Sequence, residues 1–88
     1  MDYQLKDKKV FISGSTKGIG LATAKTLAKE RAEVIINGRS KESINQAISS
    51  ITTEINNAKI SGIACDFSKK DQVDSLIEKL GKVDILIN

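Results

Sequence analysis

Ser13-Gly14-Ser15-Thr16-Lys17-Gly18-Ile19-Gly20 joins an apolar run, Val10-Phe11-Ile12, to a segment, Leu21 to Glu30, that is rich in Ala, Leu and Lys. The run before it is β-branched and aromatic, and the segment after it carries apolar residues at helical spacing, so the stretch reads as a strand, a glycine turn and a helix. Glycines suit such a turn for three reasons. One can take a positive φ, one lets the backbone approach a pyrophosphate, and one lets helix and strand pack closely. The free N–H groups and the positive dipole end of the new helix then face an anion. Sterics alone also put glycine in loops, so the turn gains weight from its context. Its spacing excludes two rivals. A P-loop needs Lys followed by Ser or Thr after its second glycine, whereas Lys17 precedes Gly18. The glycines at 14, 18 and 20 give G-x-x-x-G-x-G, not the G-x-G-x-x-G of many dinucleotide-binding turns.

The 88 residues, 40% hydrophobic and 28% charged, suit a soluble α/β piece and are too few for a complete doubly wound fold. A net charge of +3 is spread along the chain, which argues only weakly for anionic ligands and not for nucleic acid. Aromatic residues at 3% also argue against a base-stacking surface. The single cysteine, Cys65, cannot form an internal disulfide, and without histidine there is no zinc cluster, so no metal is expected. A reducing, cytoplasmic setting follows as the default. The start Met-Asp-Tyr-Gln does not resemble a signal peptide, and no apolar run approaches the ~18 residues of a membrane span.

In chain order, residues 1 to 7 read as a polar arm leading into a first strand over about Lys8 to Ser13. A helix from Lys17 to Glu30 follows, with Ile19, Ala22, Ala24, Leu27 and Ala28 on or near its buried face. Glu33-Val34-Ile35-Ile36-Asn37 is too continuously apolar for an exposed hairpin and suits a parallel strand covered on both sides. Ser40 is an N-cap for a helix with Glu42 in its first turn and Ile44, Ala47, Ile48, Ile51 and Ile55 inward. Lys59 to Cys65 is a third strand. Ser68-Lys69-Lys70-Asp71 matches a capping box for a helix that buries Val73, Leu76, Ile77 and Leu80 and stops at Gly81. Val83 to Asn88 is a fourth strand. The strict alternation, without linker or repeat, predicts a parallel sheet with right-handed crossovers.

Ligands of open parallel sheets bind beyond the carboxyl ends of the strands, where the strand order reverses. The four strands end in the glycine turn, in Asn37-Gly38-Arg39, in Cys65-Asp66-Phe67 and in Asn88. Singly, these are a turn former, a solvated charge, a cap and a chain end. Their joint occurrence points to one ligand. Cys65, beside them, reads as a small apolar filler rather than a redox thiol.

Ser13-Gly14-x-x-x-Gly18-Ile19-Gly20 resembles the T-G-x-x-x-G-I-G motif of the classical branch of the short-chain dehydrogenases/reductases, with Ser for the usual Thr. The likeness extends along the whole chain. It implies the amino-terminal part of a Rossmann-type doubly wound parallel sheet over residues 1–88, with three helices and four strands in the order 3-2-1-4. It also implies that Gly14, Ser15, Thr16, Lys17, Gly18, Ile19 and Gly20 bind the cofactor. The family's NAD-binding members have an acidic residue at the place of Gly38. NADP-binding members have a basic residue next to it, matched by Arg39, and often another before the second glycine, matched by Lys17. Arg can hold a 2′-phosphate that a carboxylate would repel, so NADP(H) is expected in preference to NAD. Asp66, with Phe67, is similar to the Asp that contacts adenine, and Asn88 to the first Asn of the motif N-N-A-G.

The family's catalytic Ser and Tyr-x-x-x-Lys have no match: the only tyrosine is Tyr3, and four places on stands Asp7. No residue here is therefore assigned as catalytic. The resemblance implies a longer protein that exchanges a hydride between NADP(H) and a carbonyl or alcohol, a 3-oxoacyl thioester being one such carbonyl. A homo-oligomer is implied for that protein, with no nucleic-acid or membrane partner. The 88 residues alone are expected to be inactive and poorly stable, with an unpaired apolar edge at Val83 to Asn88. The alternative is a stand-alone nucleotide-binding or interaction module without catalysis.

Overall fold

The computed structural model describes residues 5–88. The order is β1 (Lys9–Ile12), α1 (Gly18–Lys29), β2 (Glu33–Gly38), α2 (Lys41–Glu54), β3 (Lys59–Ala64), α3 (Lys70–Leu80) and β4 (Ile85–Ile87). The strands form one sheet in the order β3-β2-β1-β4, and every neighbouring pair is parallel. The fold expected from the resemblance is therefore present. Tyr3 lies outside the described residues.

Side chains alternate along each strand, and each face of the sheet meets different helices. Val10 and Ile12 of β1 and Val34 and Ile36 of β2 pack with Ala24 and Ala28 of α1 and with Ile44, Ala47 and Ile51 of α2. Phe11 and Ile35 point the other way, onto Cys65 and onto Leu76 and Leu80 of α3. Burial on both faces explains why β2 reads as a continuous apolar run. It also gives Cys65 its place as packing, and burial pushes its thiol pKa up.

Three expected inward residues face out, the small Ala22 and two isoleucines. Ile19 is 87% exposed, because the face of α1 that meets the sheet runs through Gly20, Ala24 and Ala28 at four-residue steps, one residue and about 100° away. Ile77 is 63% exposed for the same reason, beside the inward pair Leu76 and Leu80. The capping box at Ser68 is not formed either: α3 starts at Lys70, with Lys69 at the N-cap and no side-chain cap. The Asp66 carboxylate takes both the Ser68 amide, at 3.0 Å, and its hydroxyl, at 2.7 Å, so Ser68 serves the preceding turn instead. Ser40 does cap α2, accepting from the Ser43 amide at 3.2 Å.

The end of α1 is a Schellman turn. The Arg31 amide donates to Ala28 O at 3.0 Å and the Ala32 amide to Leu27 O at 3.2 Å, and Arg31 has φ 67°. A side chain in that left-handed conformation costs about 1 kcal/mol relative to glycine. Arg31→Gly is accordingly expected to leave stability unchanged or to raise it by up to about 1 kcal/mol, after allowing for glycine's looser unfolded chain. A lower denaturant midpoint in the variant would contradict that account.

Candidate functional site

Successive connections step from β1 to β2 to β3 in one direction, and β4 then lies on the other side of β1, so the strand order reverses between β1 and β4. The glycine turn leaves β1 at that point. Gly14 and Gly18 hold φ of 55° and 63°, and nothing lies within 4 Å of where a side chain would project from either. Gly20 is closed in instead: a Cβ there would sit 2.5 Å from Gly14 O and 2.9 Å from Ser15 Cα. The helix start thus packs directly on the turn.

Two buried polar residues hold the turn to the sheet. Ser15 is fully buried; its amide donates to Asn37 O at 2.9 Å and its hydroxyl to Ile12 O at 2.7 Å, while that hydroxyl accepts from the Asn37 amide at 2.8 Å. Asn37, 2% exposed, uses its side chain in both directions. Oδ1 accepts from the Gly14 amide at 3.0 Å and Nδ2 donates to Ile63 O at 3.1 Å. The turn, β2 and β3 are so tied together at their carboxyl ends. Sequence reasoning placed Asn37 only as a strand end; the available signal was a lone amide closing an apolar run that is buried on both faces.

The first amides of α1 have no acceptor within the helix, and the N-cap Lys17 offers no side-chain cap. The first turn carries no acidic residue that would repel an anion. Beside this helix start lies an open cleft of about 1020 Å³. Of the residues singled out in the sequence, Gly14, Thr16, Lys17, Arg39, Asp66, Phe67 and Asn88 line it, joined by Gly38 from β2. Ser15 lies beneath the floor, and Gly18, Ile19 and Gly20 form the start of the helix.

At the end of β3, the Asp66 carboxyl is held below the usual range by its hydrogen bonds from the Ser68 hydroxyl and amide, with smaller help from the charges of Lys69 and Arg39. It is an ionised acceptor near neutral pH. The Asp66 amide donates to Gln72 Oε1 at 2.8 Å, fixing the loop onto α3. Phe67 beside it is 52% exposed, an unusual state for a phenyl ring. Asn88 approaches the turn from β4, its Oδ1 3.5 Å from the Ser13 hydroxyl.

A parallel sheet with a glycine turn and a helix N-terminus at its switch point is the arrangement on which dinucleotide-binding α/β domains are built. The chain belongs to the short chain dehydrogenase family, whose family model matches residues 8–88. The uncharacterized oxidoreductase YvrD of Bacillus subtilis (strain 168) is 44% identical over 91 residues, a match covering 100% of this chain and 34% of that protein. Gluconate 5-dehydrogenase of Gluconobacter oxydans (strain 621H) is 38% identical over 90 residues, covering 98% of this chain and 34% of that one. Among solved structures, the L-sorbose reductase of Gluconobacter frateurii, complexed with NADPH and L-sorbose, superposes with a TM-score of 0.88 at 32% identity, over 100% of this chain and 35% of that one. The chain spans about a third of the length of the curated relatives it matches. Among the described residues, no helix is long and apolar enough to cross a membrane.

Proposed function

We propose that this chain is the NADP(H)-binding portion of a short-chain oxidoreductase that exchanges a hydride between NADP(H) and a small carbonyl or alcohol substrate. One observation carries the coenzyme choice: Gly38 brings no carboxylate to the cleft, while Arg39 and Lys17 both line it, from the end of β2 and from the glycine turn. The residues fit a dinucleotide, since the open space over Gly14 and Gly18 and the uncapped start of α1 form a cradle for a pyrophosphate. In this reading the amides from Thr16 to Gly20 hold the pyrophosphate, and Arg39 and Lys17 hold the 2′-phosphate. Asp66 accepts from the adenine amine, Phe67 lies against the base, and Asn88 stands beside the coenzyme. NADP(H), when bound, supplies or takes the hydride. The NADPH complex of the sorbose reductase supports the choice by likeness. The same reading has the protein act in the cytoplasm as a homo-oligomer.

The test is turnover by the protein at its natural length, followed by loss of reduced coenzyme over a panel of ketones, aldehydes and 3-oxoacyl thioesters and by its formation over the corresponding alcohols. At least one carbonyl should be reduced with NADPH, at about ten times or more the kcat/KM reached with NADH, one charge-assisted bond's worth of preference. Absence of hydride transfer in either direction, or a preference for NADH, would overturn the reading.

A further inference from the structure

Gly38 is a strand residue whose φ lies outside the left-handed region, so its backbone does not require glycine. Space does. A Cβ built there would stand 2.5 Å from Thr16 Cγ2, with Ser43 Oγ at 3.1 Å and Ile44 Cγ1 at 3.3 Å. Real Cβ contacts essentially never fall below 3.0 Å, so the first contact is an overlap and the other two are tight fits that need only small adjustments. Thr16 can make room only by turning about χ1 or by moving its turn. Its β-branched side chain has two heavy atoms to place in three staggered positions, and it stands in a turn whose backbone is fixed by Ser15 and Asn37.

A carboxylate about twenty residues beyond the glycines is what dinucleotide domains use to bind the ribose hydroxyls of NAD. Resting on the NADP(H) reading above, we propose that Thr16 is a specificity-determining residue: its γ-methyl occupies the space of a β-carbon at position 38 and bars an NAD-type carboxylate from the end of β2. Coenzyme choice is then set twice at this corner. Arg39 and Lys17 attract the 2′-phosphate, and Thr16 excludes the side chain that would favour its absence. The two controls are separable, because one is charge and the other is volume.

The experiment is a double-variant cycle in the protein at its natural length: parent, Thr16→Ala, Gly38→Asp and the combination. NAD and NADP affinities are read by equilibrium titration, and Tm without coenzyme. With Thr16 present, Gly38→Asp should lower Tm by about 3 °C or more and improve NAD affinity less than about threefold. In the Thr16→Ala background, the same substitution should improve NAD affinity about tenfold or more and lose most of its effect on Tm. Gly38→Ala, which adds volume without charge, should show the same Tm rescue. Equal effects of Gly38→Asp and of Gly38→Ala in both backgrounds would overturn the role of Thr16, whatever the parent's coenzyme preference. A parent that prefers NAD would instead overturn the NADP(H) reading, and the Tm rescue would stand.

Discussion

Replacing Gly20 with alanine is expected to lower stability by about 3 kcal/mol or more and to weaken binding of either coenzyme about a hundredfold. The added methyl meets backbone on two sides, Gly14 O at 2.5 Å and Ser15 Cα at 2.9 Å, so no side-chain rotation can make room. Either α1 lifts from the turn, opening the contacts of Ala24 and Ala28 with the sheet, or the turn moves and takes its amides with it. A displacement near 1 Å is enough to spoil several convergent hydrogen bonds to one pyrophosphate. Alanine at Gly18 would test a different cause, since nothing lies within 4 Å there and only its φ of 63° is unfavourable. That change should cost about 1 kcal/mol. Chemical denaturation of both variants checks the contrast; equal losses would mean that space at Gly20 does not matter.

Asn37→Ala is expected to cost about 2 to 3 kcal/mol and to loosen the glycine turn. The variant loses the acceptor for the Gly14 amide and the donor for Ile63 O, and it leaves a small void among residues that are otherwise close-packed. Asn37→Asp isolates the second bond. The shape and the contact to Gly14 are kept, but an acceptor now faces Ile63 O and a charge is placed where the native side chain is buried. It should therefore be at least as destabilising as alanine at neutral pH, and should recover as the pH falls and the carboxyl is protonated into a donor. An aspartate variant as stable as the parent at pH 7 would show that the amide is not buried against Ile63.

The legible part of this chain was whatever depends on local pattern. Alternation of apolar runs gave the seven elements in order, and the positions of Gly81 and Ser40 gave one helix stop and one cap, because these depend on a few adjacent residues. Competition between neighbours was not legible. Ser68 could cap α3 or serve the carboxylate of Asp66, and the second option won through two short hydrogen bonds. Helical phase was lost to a single residue at Ile19 and Ile77, where the sequence shows an apolar side chain and only the packing shows which of two adjacent positions the sheet accepts. The lining of the cleft was legible at the strand ends that meet solvent. Its supports, Asn37 beneath the turn and the methyl of Thr16 against Gly38, depend on contacts between segments more than twenty residues apart.

The most direct measurement is the affinity of the natural-length protein and its Arg39→Ala variant for NADP and for NAD, by equilibrium titration at one fixed ionic strength. A charge-assisted hydrogen bond contributes roughly 1.5 to 3 kcal/mol, so the parent should favour NADP, and Arg39→Ala should lose about one to two powers of ten in NADP affinity. NAD affinity should change less than about threefold, since Arg39 would meet only the phosphate that NAD lacks. A parent without preference for NADP, or a preference that survives intact in Arg39→Ala, would contradict the assignment of this cleft to NADP(H).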